Sequence, residues 1–174
     1  MRENTVTVYG TSNPLPVFDY PGQVTVIDRD ALETLAPSTI SDALRDVPGV
    51  DFSGGPRRTG ELPSIRGLSG PNVLILLDGA RQSFTSAHDG RFFVDPELIG
   101  TAEVVRGPAS ALYGSGAVGG VMALKSVDAA DLLREDETWG ARARIGYQSA
   151  NEETLASITA FTQQLDPLLD LVAD

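Results

Sequence analysis

The sequence predicts an α+β domain of short strands and helices, followed by antiparallel β-strands toward the carboxyl end. Strand-like and helix-like patterns alternate from residue 23 to residue 126, which predicts short interleaved elements. The 18 glycines and 11 prolines are spread along the chain and favour many turns. Beyond residue 137 the hydrophobic period changes to two, as in a strand with one apolar face. A length of 174 residues and a hydrophobic content of 41% suffice for about one domain with a buried core.

Charge and composition exclude several classes of function. The net charge of −11 is concentrated in residues 127–174, which hold 10 acidic and 3 basic residues, against 14 and 10 in residues 1–126. Nucleic-acid binding needs a clustered basic surface, so this acidity excludes a nucleic-acid partner. The chain contains no cysteine, which excludes disulfides and thiolate metal sites. The change in composition near Ser126 marks the best candidate for a domain boundary.

No segment has the pattern of a membrane helix or a secretory signal. The longest aliphatic run is VLILL at residues 73–77, far short of the ~20 residues that a membrane helix needs. The opening sequence MRENTVTVYG lacks the apolar core of a secretory signal. We therefore expect an exported form of the protein to have lost its signal already.

The first part of the chain is predicted to be an arm, a strand and a helix. Residues 1–20 form the arm, because a glycine and two prolines interrupt every pattern except the short alternation TVTV. A strand is expected over residues 23–28. Asp30 and Glu33 then fit a capping box at the start of the following helix.

The stretch PSTISDALRDVPG predicts a second helix with one apolar face. Ser38 is placed to cap its first turn, and a Pro-Gly pair ends it. Its apolar residues recur at helical spacing, and they are Ile40, Ala43, Leu44 and Val47. The next residues, GVDF, are predicted to be extended, and the Gly- and Pro-rich residues 53–63 to form a loop.

Three strands and two helical turns are predicted in the centre of the chain. The continuous apolar run at residues 73–77 predicts a buried strand, and Asp78 with Gly79 a tight turn after it. Helical turns are expected in DPELIG and at residues 109–113, and strands in TAEVVRGP and GGVMALKS.

The sequence TWGARARIGYQ predicts an amphipathic strand whose apolar face is bounded by Trp139 and Tyr147. Eight steps of ~3.3 Å span roughly 26 Å, close to the ~25 Å apolar band between the aromatic girdles of a membrane barrel. A strand of an ordinary soluble sheet fits the alternation equally well. A second strand is expected over residues 153–163, and DPLLDLVAD begins a third; three strands cannot close a barrel.

The motif GSGAVG at residues 114–119 matches the G-x-G-x-x-G of dinucleotide sites, but its context is reversed. Such a site needs the motif after a strand and at the start of a helix, whose N-terminus meets the pyrophosphate. Here a helical turn precedes the motif, and a strand follows it at residues 121–124. We therefore predict that these glycines allow sharp turns and close backbone packing. A nucleotide-binding enzyme stays open as an alternative, which requires a strand directly before Gly114.

His88, in the stretch SAHDGRFFVDPEL, is the only histidine of the chain. No acid or nucleophile stands near it at a recognisable catalytic spacing, and the carboxylates lack the spacing of a metal loop. We therefore predict that the protein is not an enzyme and holds no intrinsic cofactor. A neutral imidazole is a good iron ligand, although a lone loop histidine is also typical of a solvated surface.

Four segments in order resemble the plug domain of TonB-dependent outer-membrane receptors. They are NTVTVYG, TVIDRDALETLAPSTISDALRDVPGV, PSIRGLSGPNVLILLDGAR and AEVVRGPASALYGSGAVGGVMALKS. The resemblance implies a small mixed sheet with short helices, followed by about three antiparallel strands of a truncated transmembrane β-barrel. The domains it implies are an N-terminal arm over 1–20, a plug over 21–126, a linker over 127–136 and an incomplete barrel over 137–174.

Within that family, the region from SAHDGRFFVDPELIG to KSVDAADLL most resembles the haem and haemoglobin uptake receptors. Such receptors present a histidine from an apical plug loop as an axial ligand of haem iron, which by resemblance gives His88 that role. Arg66 and Arg106 match plug arginines that pair with carboxylates of the barrel wall. Those partners lie outside this chain, so we expect both arginines to be solvated or paired locally.

The resemblance also gives the N-terminal arm a partner. The TVTV stretch resembles the TonB box, which pairs as an added strand with the periplasmic energy-transducing protein TonB; its residues are Thr5, Val6, Thr7 and Val8. An ordinary first strand of the plug is the alternative, but the prolines that follow favour a detachable arm.

The function implied is TonB-driven uptake of haem, free or taken from a haemoprotein, at the outer membrane. Haem would then be a transported ligand. The 48 residues after Ser126 cannot supply the about 22 strands that surround a plug, so we expect this chain alone not to transport. Two alternatives stay open: a plug for a ferric siderophore or cobalamin, and a soluble periplasmic module that binds TonB.

Overall fold

The structure is a computed structural model, and it divides into two compact units, Met1–Val127 and Asp128–Asp174. It describes residues 7–8, 15–16, 19, 22–53, 61–82, 94–134, 137–148 and 153–163. The strands are β1 (Thr7–Val8), β2 (Leu15–Pro16), β3 (Gln23–Ile27), β4 (Val50–Ser53), β5 (Leu62–Ile65), β6 (Leu68–Ser69), β7 (Val73–Leu77), β8 (Ala80–Arg81), β9 (Ile99–Arg106), β10 (Gly120–Ser126), β11 (Trp139–Gln148) and β12 (Glu153–Thr162). The helices are α1 (Arg29–Leu35), α2 (Ile40–Leu44), α3 (Ser110–Tyr113) and α4 (Ala129–Leu132).

The first unit is built on a five-stranded mixed sheet with the strand order β3-β9-β10-β7-β8. Strand β10 runs parallel to β7, and the other neighbours are antiparallel. The three central strands are largely buried because both faces of the sheet are covered, and β7 is accordingly a continuous apolar run. The predicted α+β class with a mixed sheet and short helices is confirmed.

Each face of this sheet has its own apolar cluster. The larger cluster joins one face to α1 and α2, and it contains the predicted apolar face of the second helix, Ile40, Ala43, Leu44 and Val47, all buried. The smaller cluster covers the opposite face of the same strands and includes Leu74, Val105 and Val121. The periodicity of the second helix therefore predicted its buried side correctly.

Both helix starts differ from the prediction by one or two residues. Helix α1 is capped by Asp28, whose carboxylate accepts a hydrogen bond from the backbone N–H three residues later, so the predicted capping box of Asp30 and Glu33 is wrong. Strand β3 ends directly before Asp28, which leaves the helix no intervening turn. Helix α2 is capped by Thr39 and not by Ser38, because Thr39 is the extended residue adjoining the first helical turn.

A small antiparallel sheet, with the order β4-β5-β6, corrects the predicted loop over residues 53–63. Ser53 ends β4, and Leu62 and Pro63 belong to β5, which pairs with β4 along its full length. The composition of residues 53–63 is typical of a loop, but Leu62 and Pro63 form a strand because they pair with β4. Residues 54–60 lie outside the described part of the chain.

The tight turn predicted at Asp78 and Gly79 is confirmed. Both residues have positive φ angles, 49° and 78°, and they join β7 to β8. The Asp78 carboxylate accepts a hydrogen bond from the Ser126 backbone N–H at 2.8 Å. This turn is therefore tied to the end of β10 as well as to its own hairpin.

Strand β1 lies apart from the main sheet in a two-stranded antiparallel pair with β2. Thr7 pairs with Pro16, and Val8 pairs with Leu15. The pairing is only two residues long on each side, so few hydrogen bonds hold β1 to β2.

The second unit contains α4 and a ten-residue antiparallel hairpin, β11–β12. Helix α4 places one helical turn inside the stretch predicted as a linker over 127–136. The predicted alternation is confirmed: Trp139, Ile145, Tyr147 and Ile158 are all 69–84% exposed on one face. The predicted third strand lies outside the described residues. Within the part of the chain that the structure describes, no helix is both long and apolar enough to cross a membrane.

Candidate functional site

The predicted site residues divide into those the structure describes and those it does not. His88 lies in the stretch 83–93, and Thr5 and Val6 lie at the amino end, all outside the described residues. Thr7 and Val8 form β1. Arg66 and Arg106 are both described, together with their side-chain hydrogen bonds.

Arg66 occupies a strained turn. Together with Gly67 it forms the two-residue connection between β5 and β6, and its φ is 54°, a left-handed conformation that costs a non-glycine residue energy. Its backbone N–H donates to the Gly49 carbonyl at 2.8 Å. Its guanidinium is exposed and donates from Nη2 to the Gln23 side-chain oxygen at 2.7 Å.

Arg106 is the last residue of β9, at the end of the main sheet that lies next to Arg66. Its Nη1 donates to the Pro48 carbonyl at 3.1 Å, and its Nη2 donates to the Thr25 hydroxyl at 3.2 Å. Its Nε is buried and has no hydrogen-bond partner among the residues that the structure describes. This guanidinium is therefore held by neutral oxygens, and its buried Nε–H is left without a partner among the described residues.

The fold brings the two arginines together. Gln23, which binds Arg66, lies opposite Arg106 in the pairing of β3 with β9. A Cβ atom added to Gly107 would lie 3.1 Å from the Arg66 Nη1 atom, so the Arg66 side chain covers the residue next to Arg106. Glycine there leaves room for the guanidinium, and the φ of 112° at Gly107 favours glycine as well.

The arginine pair carries two positive charges with neutral partners only. All the hydrogen bonds of Arg66 and Arg106 go to an amide, a hydroxyl or a carbonyl oxygen, and none of the ion pairs found in the described part of the chain includes either residue. An added carboxylate would pair with charges that water already solvates in part, because the Arg66 guanidinium is exposed.

The left-handed φ of Arg66 leads to a stability prediction that separates the effect of the turn conformation from the effect of losing the charge. Replacing Arg66 by asparagine, which tolerates a left-handed φ, is expected to lower the free energy of unfolding by less than about 1 kcal/mol. Replacing Arg66 by valine is expected to cost about 2 kcal/mol more, because a β-branched residue is strained at this φ. Urea unfolding followed by circular dichroism measures both, and equal losses would contradict the account of the turn.

The glycines at residues 114–119 allow sharp turns and close backbone packing, as predicted. The element directly before Gly114 is α3, and the strand β10 follows the motif, so the order needed for a dinucleotide site is absent from this region. A Cβ atom on Gly119 would lie 2.8 Å from the Leu68 Cβ atom. These facts eliminate the nucleotide-binding alternative.

Two arginines that the sequence analysis did not single out, Arg29 and Arg81, bind backbone carbonyls of distant segments. The Arg29 Nη1 donates to the Glu97 and Ile99 carbonyls at 3.2 and 3.0 Å. The Arg81 Nη2 donates to the Tyr113 carbonyl at 3.1 Å. Their roles depend on contacts between residues far apart in sequence, which no local pattern reveals.

A buried glutamate was also missed. Glu103 is 3% exposed in the middle of β9 and lines a cavity of about 350 Å³ at the other end of the sheet. Asp78 and Lys125 line the same cavity beside apolar side chains. No group of three or more potential metal ligands occurs among the described residues, so this cavity offers no metal site there.

The comparisons with known proteins agree on one family. The family model of the TonB-dependent Receptor Plug Domain matches residues 16–121. The chain is 42% identical over 133 residues to the "Heme/hemopexin utilization protein C" of Haemophilus influenzae, covering 76% of this chain and 18% of that protein. It is 39% identical over 168 residues to the "Hemin receptor" of Yersinia pestis, covering 95% of this chain and 25% of that protein.

A solved structure gives the same result for the fold. The FrpB iron transporter from Neisseria meningitidis, in its apoprotein form, superposes with a TM-score of 0.70 at 30% identity, over 81% of this chain and 22% of that one. The chain thus spans about a quarter or less of the length of these relatives. By sequence and by fold, this chain belongs to the plug-domain family of the TonB-dependent receptors, which are outer-membrane proteins.

Proposed function

We propose that this chain is the plug region of a receptor that takes up haem across the outer membrane, driven by TonB. The observation that carries the proposal is the 42% identity over 133 residues to a protein named for heme and hemopexin utilization. In this proposal residues 1–20 are the TonB-binding arm, 21–126 the plug, 127–136 a linker, and 137–174 the start of the barrel. The plug binds and signals, and it catalyses no reaction.

His88 is the proposed contact with the cargo. A neutral imidazole can ligate haem iron at neutral pH, and His88 is the only histidine that the chain can offer. The described residues on either side of its segment belong to the plug: β8 before it, and the turn that leads into β9 after it. Haem in this scheme is cargo that binds the extracellular face of the plug and then leaves it.

The arginine pair is the proposed contact with the barrel wall. Arg66 and Arg106 lie at one end of the main sheet, their partners among the described residues are all neutral, and the buried Nε–H of Arg106 is unused there. Carboxylates on the inner wall of a barrel would satisfy both charges, because charged hydrogen bonds across a buried contact are strong when both groups are paired. Removing the arginines is then expected to loosen the plug in its barrel.

The hairpin β11–β12 is the proposed first contact with lipid. Its apolar face carries Trp139 and Tyr147 at opposite ends, with Ile145 and Ile158 between them, and all four are largely exposed. Apolar residues bounded by aromatic ones are typical of the outer face of a membrane barrel strand. The opposite face, which includes Arg142 and Arg144, would line the barrel interior.

The arm is the proposed contact with TonB. Strand β1 is already extended, lies apart from the main sheet, and pairs with only two residues, one of them Pro16. A strand held this weakly can leave β2 and add to the edge of a partner sheet. Tension transmitted through the arm would then rearrange the plug and open a path for the cargo.

Replacing Val8 by proline tests this contact. The substitution removes a backbone N–H and is expected to weaken binding of the periplasmic domain of TonB by about tenfold or more, since strand addition depends on main-chain hydrogen bonds. Isothermal titration with the 174-residue chain measures the affinity. Val8→Ile keeps the N–H and is the matched control, with an affinity expected within about twofold of the unsubstituted chain.

Equal affinities for Val8→Pro and Val8→Ile would contradict strand addition at this position. No measurable binding by the unsubstituted chain would contradict the assignment of the arm itself. Hemin titration of the same protein is independent of the arm, so the cargo and the TonB contact are tested separately.

A further inference from the structure

The cavity of about 350 Å³ that Glu103 lines lies over the three central strands of the main sheet. Glu103 on β9 pairs with Ala123 on β10, and Ala123 pairs with Leu76 on β7, so the three side chains form one row on one face. Ala123 carries only a methyl group between two longer side chains, which leaves the row hollow at its centre. The volume falls within the range of about 300–1,000 Å³ that is usual for small-ligand sites.

Two carboxylates and one ammonium line this cavity. Glu103 is 3% exposed and stands on a central strand, so the sheet fixes its position. The Asp78 carboxylate is oriented by the Ser126 backbone N–H, which donates to its Oδ1 atom at 2.8 Å. Lys125 lies two residues after Ala123 on β10 and therefore on the same face. Two negative groups and one positive group give the described lining a formal charge of −1.

The rest of the described lining is apolar or glycine, and it includes Leu76, Ala123 and Leu124. We infer that the cavity binds an alkylammonium group, a primary amine on a short aliphatic stem. The stem packs against the apolar residues, and the ammonium is held by the carboxylates. Lys125, which borders the cavity, already brings the same chemistry to it from within the chain, an ammonium on a four-carbon stem. None of the residues assigned to haem, TonB or the barrel wall takes part.

The charge of the lining selects a cation over an anion or a neutral ligand. A hydrogen bond between an ammonium and a carboxylate is about twice as strong as one between neutral groups, and more so away from water. An ammonium has three donors, so it can serve more than one carboxylate. An anion of the same size would meet two like charges in the cavity. Lys125 competes with any incoming cation, because it carries the same charge.

Titration of the 174-residue chain with n-butylammonium, followed by the NMR shifts of its backbone amides, tests the site. Saturable shifts with a Kd of millimolar order are expected at the residues that line the cavity. Glu103→Gln keeps the shape of the side chain and removes its charge, so it is expected to weaken binding by about tenfold or more. Asp51→Asn, an exposed residue of β4, is the matched control, with an affinity expected within about twofold of the unsubstituted chain. Equal affinities in the two variants would overturn the role of Glu103 and with it the site.

Two further measurements separate charge from apolar contact. Butyrate has the length of n-butylammonium and the opposite charge, so no saturable shifts are expected with it; equal binding of the two would overturn the proposal. Lys125→Met removes the competing ammonium and keeps an unbranched stem, so n-butylammonium is expected to bind about fivefold more tightly. An affinity that is unchanged or weaker in Lys125→Met would overturn the charge selection. Lys125 is exposed, so this variant is expected to fold.

A free amine and the lysine side chain of a partner polypeptide both present this group, and a capped peptide with one central lysine among alanines distinguishes them. Binding at least as tight as that of n-butylammonium assigns the cavity to a lysine of a partner. Binding about tenfold weaker or less, with n-butylammonium still bound, assigns it to a small amine. The absence of saturable shifts at the cavity with either probe would overturn the proposal.

Discussion

Gly120→Ala is expected to lower the free energy of unfolding by about 4 kcal/mol or more, a large fraction of the stability of a domain of this size. Gly120 begins β10, the central strand of the main sheet. A Cβ atom at this position would overlap the Val105 carbonyl oxygen and lie 2.9 Å from the Ile65 Cδ1 atom. The backbone of β9 cannot move away without breaking the sheet. Urea unfolding followed by circular dichroism measures the loss.

Gly67→Ala is the matched control for this substitution. Gly67 has a positive φ of 76°, but no atom lies within 4 Å of its added Cβ atom, so only backbone strain is introduced. A loss of about 1 kcal/mol is expected there. Similar losses for both variants would contradict the close approach of β9 and β10 at Gly120.

His88→Ala is expected to weaken hemin binding by more than about 100-fold. Substitutions of groups that merely orient a metal ligand already cost about 10- to 100-fold, and this change removes the ligand itself. The chain has no other histidine and no cysteine to replace it. Titration of the Soret band with the wild-type and substituted chains gives both affinities.

Iron-free protoporphyrin IX provides the control for this prediction. It presents the same ring without the metal, so both proteins are expected to bind it with similar affinity. Equal hemin affinities in the two proteins would contradict axial ligation by His88. A loss of protoporphyrin binding that matches the loss of hemin binding would contradict it too, because it would assign His88 to contacts with the ring.

Strong local patterns predicted most of the sheet. The unbroken apolar run at residues 73–77 gave β7, because a strand covered on both faces needs apolar side chains at every position. The turn at Asp78 and Gly79 followed from residues that accept positive φ. The alternation after residue 137 gave both β11 and β12, since a hairpin with two different faces has a period of two.

Features that depend on distant partners were not predictable. Strand β5 has loop-like composition, and pairing with β4 makes it a strand. Glu103 sits on a central strand, where burial of a carboxylate contradicts the general preference for apolar residues. The N-cap of α1 is Asp28, which the sequence analysis had placed in the preceding strand, because β3 ends one residue before the predicted end.

The candidate site residues were identified by resemblance to family segments and not by physical patterns such as periodicity or charge. Arg66 and Arg106 were singled out by their place in family-like segments, and only the fold shows that they meet at one end of the sheet. Arg29 and Arg81 belong to no motif that marks a function. Their targets are backbone carbonyls, which every residue carries, so no side-chain pattern in the sequence identifies them.

The central claim, that this plug serves a haem receptor, is tested most directly by a competition titration of the 174-residue chain. Hemin is added to saturation, and an excess of a ferric catecholate siderophore or of cyanocobalamin is then supplied. The account predicts a saturable one-to-one change in the Soret band that neither competitor reverses. Absence of saturable hemin binding, or displacement of hemin by either competitor, would contradict the assignment of haem as the cargo.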